Sequence, residues 1–82
     1  MTKSRKILAN KRDAIDWKAV GRRIRELRGF YVTQEEFARR IGVSQGYLSA
    51  MERGAKEIGA GILLRISREF GKSIERLLTG ED

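Results

Sequence analysis

The amino-acid sequence predicts an all-α fold, a compact bundle of five short helices. Three observations carry this. Apolar residues recur at helical spacing in five stretches, each closed by a glycine. Ser, Thr or Asp stands just ahead of four of those stretches, where a helix N-cap is wanted. Proline is absent, and β-branched residues never cluster with the period of two that a half-buried strand shows.

Helix 1 starts near Asp16, the N-cap, with Ile15 placed to staple onto Val20. Trp17, Val20, Ile24 and Leu27 share one face, and Gly29 stops the helix. Trp17 reads as a core anchor rather than a base-stacking platform. Thr33-Gln34-Glu35-Glu36 is a capping box that opens helix 2, with Val32 and Phe37 as its staple. Glu35 and Glu36 thus serve the helix N-terminus rather than forming a catalytic pair. Phe37, Ala38 and Ile41 face inward, and Gly42 ends the helix after about two turns. Ser44 caps helix 3, Val43 and Leu48 staple it, Leu48 and Met51 point inward and Gly54 closes it. Helix 4 runs from about Gly59 to Phe70, with Ile62, Leu63, Ile66 and Phe70 inside and Gly71 as cap. Ser73 starts helix 5, whose Ile74, Leu77 and Leu78 are apolar, and Gly80 ends it.

Eighty-two residues make one domain. No apolar run approaches the roughly 20 residues of a membrane span, and the basic N-terminus lacks the apolar core of a secretory signal. Cysteine and histidine are both absent, so disulfides, thiolate or imidazole metal sites and the usual nucleophile–base pairs are excluded. No metal, cofactor or small-molecule ligand is expected, the chain does not read as an enzyme, and a cytoplasmic location fits best.

The net charge is +7, and it is unevenly placed. Lys3, Arg5, Lys6, Lys11 and Arg12 give residues 1–12 a charge of +5 with no acid, whereas the other 70 residues carry only +2. Residues 1–14 therefore read as a basic N-terminal arm, and 15–82 as the folded domain. Such an arm suits a polyanion, nucleic acid above all.

Helices 2 and 3 are joined by a few residues around Gly42, a link that favours a steep crossing. Gln34 to Arg53 fit the 20-residue helix-turn-helix pattern. Ala38 is small where the helices cross, and Gly42 stands where the turn must be left-handed. Phe37, Ile41, Val43, Leu48 and Met51 fill the five apolar positions.

With Ile41-Gly42-Val43-Ser44-Gln45, Tyr47-Leu48-Ser49, Met51-Glu52-Arg53-Gly54 and the ending Phe70 to Gly80, residues 20–80 resemble the Cro/C1-type helix-turn-helix domain of phage repressors and bacterial regulators. The resemblance implies a lambda-repressor-like bundle that binds double-stranded DNA, usually as a homodimer on a near-palindromic operator. It implies that Gln34 binds a phosphate, which the helix dipole favours. It makes helix 3 the recognition helix, with Ser44, Gln45, Gly46, Ser49 and Ala50 as exposed, base-facing positions. Gln45 is the best reader, because its amide can pair bidentately with adenine. Tyr47, Arg53 and Lys56 are expected on phosphates, with Arg39 and Arg40 as further candidates. An Arg28–Glu52 pair is expected as a structural link, although the Arg28–Gln34 segment is one residue shorter than is common in the family.

Lys3, Arg5 and Lys6 of the arm are expected to add DNA contacts. Ile74, Leu77 and Leu78 are expected to mediate dimerisation. An alternative reading gives that apolar helix to a partner protein, as in an antitoxin-type subunit, with DNA contact secondary.

Overall fold

The computed structural model describes residues 14–81. It holds five helices and no strand among them: α1 (Trp17–Arg28), α2 (Gln34–Ile41), α3 (Gln45–Glu52), α4 (Ala60–Phe70) and α5 (Ile74–Thr79). Each start has a local cause. The side chains of Asp16, Thr33, Ser44 and Ser73 accept hydrogen bonds from the backbone N–H three residues on. Gly59 begins α4 without a side-chain cap. The box at α2 closes from one side: Thr33 Oγ1 accepts from Glu36 N at 3.1 Å, while the Glu36 carboxylate pairs with Arg40 at 3.4 Å. Ile15 remains exposed, so the staple expected over Val20 is not closed.

One core joins all five helices. Val20 and Ile24 come from α1, Phe37, Ala38 and Ile41 from α2, Leu48 and Met51 from α3, Leu63 and Ile66 from α4, and Leu77 from α5. Phe70 lies flat on Phe37 with ring centroids 5.1 Å apart, an offset stack typical of buried aromatic pairs. Trp17 packs at the edge of this core, as its spacing predicts. Ile58, in the loop between α3 and α4, is buried as well.

Two glycines set how α3 is held. Gly42 is left-handed at φ 78°, and its N–H closes α2 onto Ala38 and Arg39. That turn lets α3 leave at a steep angle. Gly21, inside α1, faces the end of α3. A Cβ there would strike the Met51 carbonyl oxygen and lie 2.7 Å from that of Glu52, so only glycine allows this approach.

Leu77 is 2% exposed and belongs to the monomer's own core. This corrects its assignment to a dimer surface. Ile74 and Leu78 flank it, half-buried against the same core. Among the described residues no helix is long and apolar enough to cross a membrane.

Candidate nucleic-acid interface

The α2–α3 pair is clamped from behind by a polar network. Arg28, the last residue of α1, donates from Nε to Glu52 Oε2 at 2.8 Å and from Nη2 to Glu52 Oε1 at 3.0 Å. Its Nη1 donates to the Val32 carbonyl at 3.1 Å. Gln34 completes the network, its Nε2 donating to Glu52 Oε1 at 2.9 Å. The Glu52 side chain is only 5% exposed, and these hydrogen bonds satisfy its carboxylate oxygens. The hydrogen bonds that Arg28 donates to Glu52 raise the Arg28 pKa above its ordinary value, against the lowering effect of burial. The expected Arg28–Glu52 pair thus forms despite the shortened loop. It ties together the end of α1, the start of α2 and the end of α3.

The front of the motif is more open. Gln45, the first residue of α3, is exposed, and so is Gly46. A Cβ on Gly46 would meet nothing within 4 Å, so a large partner can approach the backbone there. Ser44 is exposed, but its Oγ is engaged as the cap, accepting from Tyr47 N at 3.1 Å. Ser49 is half-buried, and its Oγ takes a 2.6 Å hydrogen bond from Arg53 Nη1. Ala50 is 7% exposed, which corrects its reading as an exposed position. The reason is that α3 packs against both α1 and α2, so its buried face is wide.

Cations border this face. Lys56 Nζ lies 5.6 Å from the centre of the half-buried Tyr47 ring, a cation–π contact that holds the lysine beside α3. Arg53 is exposed and held by Ser49. Arg39 and Arg40 are exposed on α2. Gln34 lies at the α2 N-terminus, with its amide directed to Glu52. The structure therefore brings together Gln34, Ser44, Gln45, Gly46, Tyr47, Ser49, Arg53 and Lys56 around one motif. Lys3, Arg5 and Lys6 lie outside the described residues. Sequence reasoning passed over Phe30 and Tyr31, which are 100% and 98% exposed in the loop before α2. Two adjacent aromatics outside any helical period were the available signal.

A helix-turn-helix family model matches residues 22–77. The propionyl-CoA carboxylase regulator of Cereibacter sphaeroides is 39% identical over 62 residues, which are 74% of this chain and 13% of that protein. The chain thus spans a small part of this curated relative's length. Among solved structures, the P22 c2 repressor in complex with synthetic operator 9T superposes with a TM-score of 0.70 at 32% identity, covering 76% of this chain and 96% of the repressor. The clp gene regulator ClgR from Corynebacterium glutamicum gives a TM-score of 0.68 at 35% identity over 79% of this chain and 70% of its own. The chain belongs to the Cro/C1-type helix-turn-helix family of DNA-binding transcription regulators.

Proposed function

We infer that this regulator binds double-stranded DNA sequence-specifically, as a homodimer on a near-palindromic operator, with α3 in the major groove. The observation that carries the reading is the exposed Gln45–Gly46 start of α3, held on a rigid motif and flanked by Arg53 and Lys56. Gln45 is the base reader, pairing with an adenine edge. Arg53, Lys56 and the N-terminus of α2 at Gln34 lie on phosphates. The P22 c2 repressor, whose structure holds a synthetic operator, supports DNA as the partner.

Burial narrows the set of readers. Ser49 is occupied by Arg53, and Ala50 is buried at 7% exposure. Few side chains then reach base edges, and DNA shape carries a larger part of the selectivity. Dimerisation follows from the same economy, because one α3 reads only a few base pairs and two, roughly 34 Å apart, read a usable operator. Ile74 and Leu78 remain as apolar candidates for that contact, without Leu77. Lys3, Arg5 and Lys6 add phosphate contacts from the arm, in a cytoplasmic protein.

The test is selection from a random duplex library with the full chain at near-physiological salt. Enrichment of an inverted repeat with half-sites one helical turn apart is expected. Salt-sensitive binding to every duplex, with no sequence enriched, contradicts the reading.

A further inference from the structure

We propose that the loop ahead of α2 is a second DNA contact, in which Phe30 and Tyr31 lie against the sugar–phosphate backbone beside the helix-turn-helix. The proposal rests on the DNA-binding reading above and extends the footprint beyond α3.

The loop presents two large rings to solvent, Phe30 at 100% and Tyr31 at 98% exposure. No other large hydrophobic side chain among the described residues stands so far out, the next being Leu64 at 40%. Rings so exposed lower the solubility of the free protein, and they contribute nothing to its core. Next to them is an open recess of about 600 Å³ lined by Arg22, Arg25, Glu26, Arg28, Gly29 and Phe30. Arg28 is committed to Glu52. Arg22 and Arg25 are exposed and make no hydrogen bond or ion pair among the described residues. The surroundings of the rings are therefore cationic, with Glu26 as the single acid in the recess.

Two arguments favour DNA over a protein as the occupant. The first is charge: two exposed arginines, without an ion pair among the described residues, complement a polyanion beside an aromatic pair. The second is area. Two aromatic rings offer roughly 400 Å² of apolar surface, about half of what one partner buries in a standard protein interface. Apart from Gly29 and Phe30, the side chains that line the recess end in charged groups, three arginines and one glutamate. Chain connectivity then places the loop. Tyr31 precedes the α2 cap Thr33 by two residues, at most about 7 Å of chain. A strand held at the start of α2 therefore runs within reach of Tyr31. Its hydroxyl can donate to the next phosphate, its ring and that of Phe30 cover deoxyribose, and Arg22 and Arg25 take the phosphates beyond.

The test uses the full chain, its selected operator and a random duplex of equal length, with hydroxyl-radical footprinting and affinities at three salt concentrations. F30A/Y31A should weaken binding to both duplexes by the same factor and shorten the footprint by one or two sugars at its outer edge. Y31F alone should cost roughly two- to tenfold, the range of one lost hydrogen bond. R22A/R25A should lower the log–log salt slope by roughly 0.9 for each phosphate lost. Unchanged affinity and footprint in F30A/Y31A, while Q45A loses the operator, overturn the loop contact and leave the DNA-binding reading intact. Undiminished DNA binding by F30A/Y31A together with loss of a co-purifying protein also overturns it. Absence of duplex binding by the unmodified chain overturns both.

Discussion

Replacing Arg28 by alanine tests whether the rear clamp holds the motif. The substitution removes two hydrogen bonds to Glu52, at 2.8 and 3.0 Å, and one to the Val32 carbonyl at 3.1 Å. It leaves the Glu52 carboxylate, 5% exposed, with Gln34 as its remaining partner. Removing one member of a buried pair costs about 3–5 kcal/mol. Arg28 is itself 16% exposed and Gln34 stays in place, so the loss here is nearer 2–3 kcal/mol. In a domain of this size that lowers Tm by roughly 10–20 °C. Thermal unfolding followed by circular dichroism reads it directly. The sign of the pH dependence is also set. The Arg28 pKa is raised on folding, so its contribution is complete below the ordinary guanidinium range and is lost only as pH rises through the higher folded value. Its charge therefore adds no slope to stability between about pH 6 and 9. The exposed Arg40–Glu36 pair is the contrast: R40A should cost about 0.5 kcal/mol or less. If R28A and R40A shift Tm equally, the clamp is not holding the motif.

Three further outcomes follow from packing. G21A should destabilise the fold by more than 1 kcal/mol in chemical denaturation, because its methyl meets the Met51 and Glu52 carbonyls. G46A should instead stabilise it by about 0.8–1 kcal/mol, since the space is open and alanine is the better helix former, yet weaken operator binding by holding DNA away. L77A should cost about 2–4 kcal/mol, whereas L64A, at a side chain 40% exposed, should cost under 1 kcal/mol; equal losses would restore Leu77 to the surface.

Much of this architecture was legible because its signals are local. Asp16, Thr33, Ser44 and Ser73 each cap within three residues of themselves, and Gly29, Gly42, Gly71 and Gly80 close helices through their own backbone. The helix-turn-helix spacing could be read for the same reason. What escaped depends on neighbours distant in sequence. Ile58 has no helical period, and its burial comes from the core beneath its loop. Ala50 lies off the Leu48–Met51 stripe, and it is buried because α3 is enclosed by two helices rather than one. Leu77 looked available for a partner until its own core was seen to need it. Gly21 reads as a poor helix residue until the carbonyls of α3 appear opposite it. At the interface, Arg53 meets Ser49 at the i,i+4 spacing of neighbours on one helix face, whereas nothing in the spacing directs Gln34 to Glu52, eighteen residues on.

The central claim is that Gln45 reads a base from the start of α3. Affinities of the unmodified chain and of Q45A for the selected operator, and for operators changed one base pair at a time, test it most directly. The account predicts that one position per half-site loses its preference in Q45A, by roughly 1–3 kcal/mol, while every other position keeps its own. Loss of affinity spread evenly over all sequences, with the preference at each position unchanged, would contradict it.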